Sequence, residues 1–186
     1  MILLAARMSP AEARFLEAFP AWLKSLGDDA QKLAAVVENT AAPLAARRGA
    51  AAALNYLFKS LDLIPDGLED IGFVDDAFVF RVAASGVPGD DASADASGPL
   101  GRLRGEATLV EEFLGDVYPR LSAYVGDLGK VKVRGRTVDE VLADDSALAD
   151  FVRDARQWAT GYQPPAFHRD DKNLVKLRSF LAAKLR

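Results

Sequence analysis

Six carboxylates fall between residues 62 and 76, at Asp62, Asp66, Glu69, Asp70, Asp75 and Asp76. Pro65, Gly67 and Gly72 punctuate the same stretch, so a turn must bring several of these acids close together, where their repulsion has to be offset. Oxygen-rich clusters suit hard cations, which makes Asp62, Asp66, Asp75 and Asp76 candidate ligands for magnesium or calcium, with a backbone carbonyl near Pro65 or Gly67 completing the shell. A metal with open positions there would make hydrolysis of a phosphate ester a chemistry to test. The competing account is helix capping. An aspartate at a helix N-terminus accepts backbone N–H bonds and meets the positive end of the helix dipole, worth about 0.5–2 kcal/mol. Asp62 and Asp75 suit that role, and the spacing lacks the alternation of an EF-hand loop.

Other chemistries are excluded by what the chain lacks. It has no cysteine, which removes disulfides, thiolate metal sites and cysteine nucleophiles. His168 is its one histidine, so a zinc site or a catalytic scheme needing several imidazoles cannot be built within a single chain. It follows Pro164, Pro165 and Phe167 and reads as a solvated side chain or a helix-end contact before the last helix. No glycine-rich phosphate loop and no G-x-S-x-G motif occurs. Trp22 and Trp158 fall on helical apolar stripes and read as core. Lys130, Lys132, Arg134 and Arg136 form a short basic run that reads as a solvated face, with phosphate or the acidic turn as rival partners.

These residues need elements to position them. Ser9, Pro10 and Glu12 make a capping box that opens a helix through Phe15, Phe19, Trp22 and Leu26; Gly27 should end it, and Asp28 or Asp29 should begin another through Leu33 and Val37. Pro43 marks a break before an alanine-dense segment, 44–59, apolar nearly all round and expected to be the central helix. Asp75 or Asp76 should cap the helix that runs to Ser85. The stretch 87–101 is rich in Gly, Pro, Ser, Asp and Ala and reads as a flexible linker between a first domain, 1–86, and a helical extension, 102–186. In the extension, 103–124 has a helical repeat with a kink at Pro119, and the alternation at 130–138 allows a short β-hairpin. Thr137 and Glu140 form a second capping box, Asp144 or Asp145 opens a helix through Trp158, and Asp170 opens the last. The fold class expected is therefore all-α, a multi-helix bundle.

The segment from Asn55 to Asp76, NYLFKSLDLIPDGLEDIGFVDD, resembles the YkvA-like family, also called domain of unknown function 1232. The residues that carry the likeness are Tyr56, Asp62, Leu63, Ile64, Pro65, Asp66, Gly72, Asp75 and Asp76, and it extends over roughly 28–85. Where the family usually has proline, this chain has Ser60 and Glu69, which predicts a looser turn. The resemblance implies an all-helical fold and an uncharacterised role, with no catalytic residue to carry over.

Net charge is −4, distributed as +2 over 1–61, −8 over 62–95 and +2 over 96–186. Nucleic-acid partners and anionic membranes are disfavoured, because they need a clustered positive footprint. The longest apolar stretch, 49–58, is far short of the roughly 20 residues that span a bilayer. The apolar patch at Ile2–Ala6 lacks the basic flank of a signal segment, and the chain reads as cytoplasmic. Two functions follow as expectations. The first is a non-enzymatic interaction module that offers the acidic turn to a protein partner and requires no cofactor. The second is a divalent-cation protein, extending to a metal-dependent hydrolase. Oligomeric state is not legible.

Overall fold

The computed structural model describes residues 8–59, 62–87 and 98–186. The apolar patch at 2–6 and most of the expected linker, 88–97, lie outside them. The described elements are α1 (Pro10–Glu38), α2 (Leu44–Leu57), α3 (Val74–Ser85), α4 (Pro99–Leu114), α5 (Tyr118–Asp127), α6 (Val138–Ala143), α7 (Asp145–Gly161) and α8 (Asp171–Lys184), with a 3-10 turn at Gly115–Val117. Among the described residues there is no strand, and the expected hairpin contracts to a turn closed by one bridge, Val133 to Arg136. Local chemistry explains this: Arg134 and Gly135 both take positive φ, and each basic side chain of the run leans toward an acid on, or capping, a neighbouring helix.

Both capping boxes form, Ser9 with Glu12 and Thr137 with Glu140, and Asp144 and Asp170 cap α7 and α8. One break expected from sequence, at Gly27, does not occur. α1 runs without interruption through Pro20 and Gly27. Gly27 is not a helix stop: a β-carbon there would stand 3.1 Å from the carbonyl of Ala159, so its lack of a side chain admits α7 against α1. The segment 103–124, expected as one kinked helix, is instead two, separated by the 3-10 turn, with Pro119 in the first turn of α5 where a missing N–H does no harm.

The central helix is α3, not α2. Every residue from Val74 to Ala84 is buried, whereas α2 also shows intermediate and exposed positions toward its start. α3 lies among α1, α2, α4 and α5, and its Phe78 meets Phe19, Trp22 and Phe113 edge to face at 5.0–6.1 Å. Aromatic pairs in this geometry add about 0.5–1.5 kcal/mol each beyond burial. The core continues without a break into Leu121, Val152, Leu174 and Leu177, so helices on both sides of the undescribed segment share it. No described helix is long and apolar enough to cross a membrane.

Candidate functional site

α2 ends at Leu57, and the chain returns to α3 through a turn that starts at Asp62. The hydroxyl of Tyr56, on the last turn of α2, accepts from the Leu63 N–H at 2.7 Å and donates to Asp75 Oδ2 at 2.5 Å. Asp75 Oδ2 also accepts from the Ile64 N–H at 2.9 Å. Two backbone donors that fold buries are thereby satisfied by side chains from α2 and α3, which locks the turn to both helices. Leu63 and Ile64 bury their side chains in the core, while Pro65, Asp66, Gly67 and Glu69 face outward. The backbone then closes on itself: Leu68 N–H donates to Pro65 C=O and Gly72 N–H to Leu68 C=O, each at 2.9 Å. A β-carbon on Gly72 would collide with the carbonyl of Asp66, so only glycine fits there. The turn is compact at 65–72 despite Glu69.

Asp75 was expected to cap α3. The helix instead begins at Val74 after Phe73, which takes φ 62 and makes no side-chain cap, and Asp75 reaches back to the preceding turn. Asp75 and Asp76 are 0% and 3% exposed, and Asp75 Oδ1 and Asp76 Oδ2 have no hydrogen-bond partner. Burial first, and the other acids second, hold both carboxyls above the ordinary carboxylate range. Asp62 is half-buried and also shifted up by burial, with Lys59 opposing. Partial enclosure of its carboxyl, and then Asp62, push Asp66 up to about 6, although the residue as a whole is exposed. Burial and the charges of Asp75 and Asp76 drive the Tyr56 hydroxyl strongly upward, so it stays a proton donor.

The four candidate ligands thus lie close enough to influence one another's protonation. Among the described residues, however, no three His, Asp or Glu side chains are arranged to hold a metal ion. Asp70 faces away from this group and pairs with His168, whose imidazole is raised by that hydrogen bond. Lys176 donates to the Glu69 carbonyl at 3.1 Å, so the loop before α8 and α8 itself clasp the outer edge of the turn. His168 is therefore a partner of the acidic turn while its side chain stays solvated, 71% exposed. The basic run does not meet that turn. Lys130, Lys132, Arg134 and Arg136 face Asp127, Glu140, Asp154 and Asp144 at 2.6–3.8 Å.

One group was missed by sequence reasoning. Arg81 is fully buried in α3, with its guanidinium 3.9 Å from the centre of the Trp22 ring. Its Nη1 donates to the Ala77 carbonyl at 2.9 Å, and its Nη2 lies 2.7 Å from Glu106 Oε2 and 3.8 Å from Asp29 Oδ2. The Glu106 approach is close but poorly aligned, and Nε has no acceptor. Arg102 bridges Asp29 and Glu106 from the outer side, and Ser25 donates to Asp29 at 3.0 Å. Burial lowers Arg81 to about 10, still charged at neutral pH. The signal was present in FVFRVAA, where a lone charge inside an apolar helix requires partners.

A search of curated proteins and of solved structures returned no match to this chain. A family model described as Protein of unknown function (DUF1232) matches residues 46–81, from α2 through the braced turn to Arg81. The matched segment takes in Tyr56, the acidic turn and α3 as far as Arg81, and is similar to that family over those residues.

Proposed function

We propose that the protein is a non-enzymatic helical interaction module, in which the braced turn offers Asp66 and Glu69 to a basic surface of a protein partner. The observation that supports this is the division of labour within the turn. Tyr56, Asp75 and the Leu63 and Ile64 N–H groups are occupied in holding it, and Pro65, Asp66, Gly67 and Glu69 are what it exposes. A loop fixed at both ends loses little conformational entropy on binding. Asp76 is indoors and takes no direct part. In a native lysate, the parent protein is expected to retain a partner that the Asp66→Asn, Glu69→Gln double variant does not, with retention falling as salt rises. Equal recovery by both proteins, or no recovery by either, would count against the reading, provided circular dichroism shows both folded.

A divalent-cation site is the second reading, favoured by the buried and unpartnered oxygens Asp75 Oδ1 and Asp76 Oδ2 with Asp62 and Asp66 nearby. Binding magnesium or calcium would require Asp62 or Asp66 to swing inward, since the present arrangement does not converge on an ion. At a hundredfold excess over the dissociation constant, a cation adds about 2.7 kcal/mol to native stability. Melting curves with millimolar magnesium, calcium or manganese should then rise by several degrees for the parent and not for Asp75→Asn. No rise with any of the three removes this reading, and hydrolysis with it.

A further inference from the structure

The chain's one histidine sits in the loop between α7 and α8, at the outer edge of the acidic turn. That loop is a fixed mount. At its start the Tyr162 hydroxyl donates to the Leu23 carbonyl of α1 at 2.9 Å, and further along Phe167 packs against the core. The His168 carbonyl accepts from the Asp170 N–H at 2.8 Å and from Asn173 Nδ2 at 2.9 Å. Asn173 is buried in the first turn of α8, so the backbone that carries the imidazole is pinned from the helix side. The facing side is held as firmly. Gly72 N–H closes the turn on Leu68, and Lys176 of α8 donates to the Glu69 carbonyl at 3.1 Å. Between them Asp70 takes φ 71, a left-handed conformation that aspartate tolerates, and presents its carboxylate to His168 Nδ1.

The mounting decides whether such a pair matters. Exposed ion pairs ordinarily contribute little, because two long side chains must be ordered to hold them. Here both side chains are short and both backbones are already held, so most of that ordering is complete before the bond forms. Histidine ordinarily titrates near pH 6.5, and this ring is open to solvent, so it exchanges its proton directly. The bond to Asp70 and the charge behind it, with Glu69 adding to them, favour the cation. The other charges near the pair are Lys176, which also attracts Asp70, and the run Arg169–Lys172, whose two cations and two anions cancel. A neutral ring can still donate from Nδ1, but a charge-assisted bond is about twice as strong as a neutral one. The added strength is complete below the ordinary histidine range and is lost as pH rises through the folded protein's own midpoint.

We propose that His168 and Asp70 form a proton-operated latch, in which protonation of the imidazole fastens the loop before α8 to the outer edge of the acidic turn and loss of the proton loosens it. The latch does not rest on the interaction reading, since the Asp66 and Glu69 side chains stay exposed beside it. Nuclear magnetic resonance on the full chain tests it, following the His168 ring and the backbone amides of Ala166, Phe167 and Arg169 from about pH 5.5 to 8.5. Relaxation order parameters of those amides should stand near the rigid value of about 0.85 at the acid end and fall at the alkaline end, with the ring's own midpoint. In Asp70→Asn the ring should titrate at lower pH; asparagine also tolerates the left-handed backbone, so the turn is kept. Asp75 is pushed up to about 7 and changes charge in the same range, so His168→Gln is the control. In that variant the loop amides should be loose at both ends of the range, whereas a response of the buried pair would persist. A ring midpoint unchanged by Asp70→Asn, loop order that is the same at both ends in the parent, or a pH response that survives in His168→Gln overturns the latch.

Discussion

Replacing Arg81 by methionine is expected to cost about 3–5 kcal/mol of stability, the range for breaking a buried ion pair by removing one partner. The substitution keeps most of the volume and leaves the packing on Trp22 largely intact, so the loss isolates the charge. Asp29, 1% exposed, would retain only Arg102 and Ser25, and Glu106 would lose its approach at 2.7 Å. Burial already opposes ionisation of Asp29, and the two arginines are what offset it. For a chain of this size each kcal/mol corresponds to about 2–4 °C, so the melting temperature should fall by on the order of 10 °C. Adding Asp29→Asn and Glu106→Gln removes the stranded charges and should restore a large part of the loss, because replacing a whole buried ionic set is often neutral. A drop of less than about 2 °C for Arg81→Met would mean that the network contributes nothing net.

Stability should also decline as pH rises from about 4 toward 7, opposite to the behaviour of most salt-bridged acids. Asp75 is pushed up to about 7 by burial, and Asp76 stands well above its ordinary value of 3.8 for the same reason. In the unfolded chain both give up their protons near 3.8, whereas the native state keeps them. Folding in this window therefore takes up protons. Each group's contribution is greatest below the unfolded value and is lost by up to about 1.4 kcal/mol per pH unit until its folded value is reached. For Asp75 alone the whole span amounts to about 4 kcal/mol. His168, raised by its bond to Asp70, acts in the same direction but is exposed, so a His168→Gln background separates the two. Glu12, Glu140, Asp144 and Asp170 are lowered by backbone N–H bonds at helix starts, and their contribution is lost below about pH 4, which sets the acid limit. Urea denaturation from pH 4.5 to 8 checks this, and Asp75→Asn should reduce the slope and be relatively more stable at pH 8. A flat profile in the parent would show that the pair is ionised without penalty.

The same pair bears on both proposed roles. Protons on Asp75 and Asp76 would account for their unpartnered oxygens without a metal, and a cation would displace those protons, so metal binding should tighten as pH rises. The two readings share Asp66, which is an exposed contact in the first and an inward-turned ligand in the second, whereas Glu69 belongs to the first alone.

How far the residues spoke for themselves depended on the range of the force involved. Capping boxes at Ser9 and Thr137, and caps at Asp144 and Asp170, act over three residues, and so they are readable in order along the chain. The crowding of acids at 62–76 was equally plain, as was the all-helical class. Gly27 was misread because its role is tertiary: only the approach of Ala159 from α7, more than a hundred residues away, explains why no side chain is there. Asp75 looked like a cap for its own helix, but Tyr56 and the Ile64 N–H, brought beside it by the packing of α2 on α3, make it a brace for the turn before. Arg81 found its partners on α1 and α4, and Trp158 its ring neighbours at Phe73 and Tyr162. Hydrogen-bonding capacity and apolar periodicity belong to a residue and its near neighbours. Which acid is buried, which ring stays open to solvent and which charge is paired are properties of contacts between distant segments, and they exist once the helices have packed.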